Sequence, residues 1–191
     1  VMQPDLLGTA PAPDGVQRLF FALVPPAPLR ARIADAAAAV EQAHPSGGRL
    51  LKPDRYHLTL HFLGDFDPLP PALLASARAA GDAVAPPRFE LVLDHAGSFR
   101  GNGVRWLGTA PCDALPAWRQ ALGDVLARQR LRLERQGFVP HLTIVRGARA
   151  PLARTPIDPI RWPLDGFALL LSRPGRPYEV LHAWRNAHGP D

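Results

Sequence analysis

Two short stretches hold the residues best suited to chemistry, Tyr56-His57-Leu58-Thr59-Leu60 and Pro140-His141-Leu142-Thr143-Ile144. Each sets a histidine and a threonine at i and i+2 among apolar residues. Successive strand side chains point to opposite faces, so in each copy His and Thr share one face while the apolar residues take the other. Imidazole, with an ordinary pKa of about 6.5, serves as acid or base near neutral pH. Two of them can take a proton from an attacking water and give one to a departing alkoxide, which is what phosphoester hydrolysis requires. The phosphorane formed on the way gathers negative charge on its non-bridging oxygens, where the hydroxyls of Thr59 and Thr143 are well placed to donate. One His-x-Thr is a weak signal, because both residues are common on strands. Two copies in matching strand contexts, one in each half of the chain, point to two lobes facing a common cleft.

The alternation of the first copy extends to His61, which is expected beside His57 and Thr59 in a supporting or packing role. His57 and His61 lie at a spacing that suits a helix face, and no Asp or Glu shares their run, so no metal site is expected. Arg146 ends the second copy three residues after Thr143. A regular strand would turn it away from the polar face, but strand ends twist and bulge. Arg49, Lys52 and Arg55 precede the first motif, where they either guide an anionic chain or lie in a solvated loop.

Short elements must carry these residues, because 23 prolines and 16 glycines punctuate the chain. Strands are expected at Arg18–Val24, across the first motif as far as Gly64-Asp65, at Phe89–Asp94, at Val104–Thr109, across FVPHLTIVR, and at Gly166–Arg173 and Tyr178–Arg185. Helical periodicity marks Leu29–Ala43, Pro71–Val84 and Leu115–Leu131. In the last of these Leu115, Trp118, Leu122, Val125 and Leu126 form the apolar stripe, with Arg119, Arg128 and Arg130 on the surface. HPSGGRLLKPD reads as a loop and the segment through Pro163 as a proline-rich connector. Strands interleaved with three helices predict an α+β sheet protein, not a doubly wound one.

Bulk composition narrows the function classes. The 191 residues suffice for one domain or two small lobes. A net charge of +5 suits anionic partners. Lys52 is the single lysine, however, and such arginine bias also follows from a GC-rich genome, so the charge permits nucleic acid without diagnosing it. Cys112 is the only cysteine, which excludes an intrachain disulfide and fits a reducing cytoplasm. Residues 1–17, rich in Pro, Gly and Ala, read as a disordered tail and not as a signal peptide, followed by one domain over residues 18–191. No apolar run is long enough to span a membrane.

RLFFAL, HLTLHFLG, LVLDHAGSF with VRWLG, PHLTIVR and YEVLHAW together resemble the two-histidine phosphoesterase superfamily, and within it the RNA 2′,3′-cyclic phosphodiesterases historically called 2′-5′ RNA ligases. The resemblance spans nearly everything after the tail. It implies a bilobal α+β fold in which two pseudo-symmetric antiparallel sheets with flanking helices surround a central groove. It further implies opening of a 2′,3′-cyclic phosphate on RNA to a 2′-phosphate without metal or cofactor, with His57 as proton donor to the leaving 3′-oxygen and His141 as proton acceptor from water. Thr59 and Thr143 would hold the phosphate, and a basic residue at Arg146 would stand near it. Sequence spacing by itself is symmetric between acid and base. RNA with a cyclic phosphate end, and nucleotides, are the expected partners of a monomer. Joining of RNA ends through a 2′-5′ bond, or binding of RNA or nucleotide without turnover, are the alternatives at the same groove. Among the remaining residues, Tyr178 is a groove candidate by family context. His95 is expected in a turn with a structural hydrogen bond, and His182 in the core or at its rim. His44 and His188 are expected at the surface, and Phe20, Phe21, Trp106, Trp162 and Trp184 mostly in the core.

Overall fold

Proline pairs set the first boundaries. In a computed structural model describing residues 15–133 and 137–187, β1 (Gln17–Leu23) stops before Pro25-Pro26, and α1 (Ala27–Ala43) starts with Pro28 in its first turn, where a missing N–H costs nothing. β2 (Arg49–Leu50) and a 3₁₀ turn (Pro53–Arg55) lead into β3 (Leu58–Phe66). α2 (Pro71–Asp82), β4 (Glu90–Ser98), β5 (Val104–Thr109) and α3 (Ala114–Arg128) follow. β6 (His141–Arg146), β7 (Thr155–Pro163), β8 (Gly166–Ser172) and β9 (Glu179–Arg185) complete the chain. The expected tail lies mainly outside the described residues, as does His188; Gln17 already belongs to β1.

Two segments differ from the sequence expectation. The connector before Pro163 is β7, an edge strand paired with β4 through Leu91 opposite Trp162 and Leu93 opposite Ile160. Proline cannot donate to a ladder, but an edge strand has an outward side where no donor is needed, so Pro156, Pro159 and Pro163 are tolerated there. Within the expected loop after α1, Arg49 and Leu50 pair with Arg146 and Val145.

All strands of the described residues join one antiparallel sheet in the order β7-β4-β5-β6-β3-β1-β8-β9, with β2 beside β6. Two sheets were expected. Instead the half-sheets β3-β1-β8-β9 and β6-β5-β4-β7 run outward from a single junction, where Leu58 of β3 faces Leu142 of β6. The helices cover one face. Ile33 and Ala37 of α1, Ala77 and Ala80 of α2, and Leu122 and Leu126 of α3 share a core with Leu19, Phe21, Leu23, Leu58 and Leu142. A side chain of leucine size gains about 1.5–3 kcal/mol on full burial, so this face holds the sheet against its helices. On the other face a small cluster of Phe20, Ala22, Ala168 and Leu170 lies under a groove. No helix among the described residues is long and apolar enough to cross a membrane.

Candidate active site

The junction of the half-sheets brings the two motifs together. With Leu58 opposite Leu142 in antiparallel register, the flanking positions set His57 against Thr143 and Thr59 against His141. The two motifs thus meet about a local twofold, each histidine beside the other copy's threonine. His57, Thr59, His141, Thr143 and Arg146 all line one groove of about 830 Å³.

A bulge in each motif strand decides which way the residues beyond the threonine point. β1 pairs Ala22 with Thr59 but Phe21 with His61, so Leu60 is an extra residue. β5 pairs Trp106 with Thr143 but Arg105 with Val145, so Ile144 is its counterpart. Each bulge reverses the alternation. His61 and Val145 turn into the core, and Phe62 and Arg146 turn out into the groove. This corrects the placement of His61 beside His57 and explains why Arg146 reaches the polar face at an odd spacing. The bulge carbonyls are satisfied differently: Leu60 O accepts from Arg119 Nε at 2.8 Å, and Ile144 O from the Leu51 amide at 2.8 Å.

Both groove histidines are oriented by the same device. His57 Nδ1–H donates to Arg55 O at 2.9 Å and His141 Nδ1–H to Val139 O at 2.7 Å, in each case the carbonyl two residues back. A carbonyl only accepts, so Nδ1 keeps its proton and Nε2 is the nitrogen left to exchange one. Aromatic rings fix the imidazoles further: Phe20 and Tyr178 pack on His57 at 5.1 and 5.0 Å, and Phe99 on His141 at 4.8 Å. Arg55 stacks over Tyr178 at 4.0 Å.

Burial pushes the His57 pKa down to about 4; the Arg55 carbonyl opposes this, while Arg146, His141 and Arg55 add to it. Burial also holds His141 below the ordinary histidine range, again opposed by its carbonyl partner and reinforced by Arg146. In the protein alone both imidazoles are therefore neutral at pH 7, with Nε2 lone pairs toward the groove. An anion between them reverses the sign of the local field and favours protonation.

The groove walls explain which anion that could be. Arg18, Arg49, Lys52, Arg55, Arg146, Arg173 and Arg176 line it, against Asp54 as the acidic residue. Arg49, Lys52 and Arg55 thus belong to the groove, and Tyr178 does too. His95 lies within β4 and not in a turn, and it makes the expected structural bond, donating from Nδ1 to Asp94 Oδ1 at 2.5 Å. His182 is exposed on β9 against Trp184, not in the core, and His44 is exposed as expected. Of the five aromatics expected in the core, Phe20 is buried on the groove side of the sheet and Trp106 is half-buried.

His61 carries a stability consequence. It is 7 % exposed and its pKa is pushed down to about 4 by burial, with the Arg119 charge adding to the effect while its bond to Arg119 O at 2.9 Å opposes it. Between pH 6.5 and 4 the unfolded chain binds a proton at this site that the folded chain refuses, so stability falls as pH falls through that window. The loss approaches about 3 kcal/mol when the site is fully protonated. In urea titrations across this range, His61→Phe should flatten the pH dependence by about one proton; equal slopes for parent and variant would refute the assignment.

Sequence reading missed Arg119, expected on the surface but turned toward β3, and Phe62, hidden by the unforeseen bulge. One signal was present: Ile144-Val145 places two apolar residues in succession before polar Arg146, a break in strict alternation.

Comparison with known proteins bears on the family. The 2′-5′ RNA ligase superfamily model matches residues 25–176. An RNA 2′,3′-cyclic phosphodiesterase of Thermus thermophilus is 32% identical over 189 residues, covering 90% of this chain and 92% of the relative. One from Escherichia coli is 34% identical over 133 residues, covering 69% and 73%. The crystal structure of E. coli LigT complexed with 3′-AMP superposes with a TM-score of 0.75 at 28% identity, covering 91% of this chain and 99% of that one. The chain belongs to the 2′-5′ RNA ligase superfamily, the two-histidine phosphoesterases.

Proposed function

We propose that this protein hydrolyses 2′,3′-cyclic phosphate ends of RNA to 2′-phosphomonoesters by metal-independent acid–base catalysis. The observation that carries the reading is the local twofold: two half-buried imidazoles, each with Nδ1 anchored, offer Nε2 to one cationic groove. In this reaction His141 takes the proton of a water as its oxygen bonds to phosphorus. The bond from phosphorus to the 3′-oxygen breaks, and His57 delivers its proton to that oxygen. Thr59, Thr143 and Arg146 stabilise the non-bridging oxygens. The phosphate itself raises the pKa of His57, so the acid is charged when substrate is bound and not before. Exchange of one proton with solvent at each histidine restores the starting state. The relatives named as RNA 2′,3′-cyclic phosphodiesterases, and the 3′-AMP complex of a neighbour, support a nucleotide in this groove. One chain supplies all the reacting groups, so the working unit in this reading is a single-domain monomer from β1 onward, acting in the cytoplasm.

The test is an end-labelled oligoribonucleotide bearing a 2′,3′-cyclic phosphate, incubated with enzyme in EDTA. The 2′-monophosphate should accumulate with multiple turnover. A 3′-monophosphate product would overturn the regiochemistry, loss of activity in EDTA the metal independence, and tight binding without product would favour a binding protein. Adding an oligonucleotide with a 5′-hydroxyl tests end joining, in which a ribose hydroxyl takes the place of water.

A further inference from the structure

The two motif strands meet at one register pair, so something besides the ladder must hold them in relation. Arg119, on α3 behind the sheet, touches the first strand and the segment that leads into the second. Its Nε donates to Leu60 O, the carbonyl of the first bulge, at 2.8 Å. Its guanidinium lies over the Phe138 ring, 4.2 Å from the centroid. Phe138 immediately precedes Val139, whose carbonyl accepts the His141 Nδ1–H. His61, the residue after the bulge, returns a bond to Arg119 O at 2.9 Å. The close approach depends on Gly123, one turn along α3, where a Cβ would lie 3.1 Å from His61 Cε1. The second bulge needs no such strut, because Leu51 satisfies Ile144 O from the backbone.

We propose that Arg119 is a positioning residue, a single strut that holds the first bulge and the approach to His141 in one arrangement and so sets the distance between the two histidines. A guanidinium can do this because it donates in its plane while its face stacks on a ring; an ammonium offers no flat face. Misplacement by about 1 Å at a reacting pair can cost about 10²-fold in rate. The kinetic part of this inference rests on the phosphodiesterase reading. The positional part does not.

Two variants and two readouts test it. Arg119→Met should keep a cooperative thermal transition and lower kcat about 10- to 100-fold with KM changed less than about threefold. It should also move the imidazole NMR resonances of both His57 and His141 in substrate-free protein. The imidazoles bond to the carbonyls of Arg55 and Val139 and not to Arg119, so a moved resonance reports a shift in those supports. Phe138→Leu cuts only the second arm and should move His141 and leave His57 in place. A folded Arg119→Met with both resonances and kcat at parent values overturns the proposal. Should Arg119→Met not fold, an unmoved His141 resonance in Phe138→Leu overturns it instead. A parent protein without turnover would reject the phosphodiesterase reading, and the resonances would still decide whether Arg119 positions the histidines.

Discussion

Replacing His57 or His141 with alanine should lower kcat for cyclic-phosphate hydrolysis by about 10²–10⁴-fold, the usual worth of one general acid–base step. Neither change should unfold the protein. Leu58 and Leu142 are fully buried and hold the register of the junction, whereas each histidine contributes a bond to a carbonyl two residues away and ring contacts at the groove. The double variant should fall little below the weaker single one, because both groups act in one transition state and their losses do not add. Single-turnover rates, with thermal melting as the control for folding, check this. A His57→Ala or His141→Ala protein within about tenfold of the parent rate would remove that histidine from the mechanism.

Arg146→Gln should show the second large effect, a loss of about 10²–10³-fold in kcat/KM, the scale of one preorganised donor to developing charge. It should also move the pH profile in a defined direction. The Arg146 cation disfavours protonation of both His57 and His141. Removing it raises both pKa values in the free enzyme. The acidic limb of kcat/KM requires a neutral base and the alkaline limb a protonated acid, so both limbs move to higher pH. Arg146→Lys separates charge from geometry: it should keep the parent profile while the planar fork of donors that a guanidinium offers a phosphate is lost and the rate falls. A profile for Arg146→Gln that stays in place, or moves to lower pH, would show that the arginine lies too far from the imidazoles to act on them.

The pH dependence of folding runs opposite to a simple acid–base requirement. His61 disfavours the folded state below pH 6.5, and His57, whose pKa is also lowered, adds in the same direction. Turnover measured at pH 5 therefore combines catalysis with partial loss of stability, and rates there should be compared only with the melting behaviour of the same variant.

His57, Thr59, His141 and Thr143 were legible as a site from the amino-acid sequence because strand alternation is a local rule: i and i+2 share a face whatever the partner strand. Most strands and all three helices followed from the same kind of local pattern. β7 did not, because its prolines look like a connector until an edge position supplies a use for them. The fates of His61, Phe62 and Arg146 were set by bulges, and a bulge is a property of two paired strands, visible only when Ala22 and Phe21 or Trp106 and Arg105 are counted against their partners. Arg119 lay on the polar side of a helical stripe and turned out to face the sheet, since packing and not periodicity chooses where a long side chain goes. The amino-acid sequence alone determined which groups could move protons and that each has a threonine on its own face. Tertiary structure decided that the two pairs meet at one junction and share one cationic groove, because the contacts that join them link residues far apart in the chain and no local pattern encodes their register.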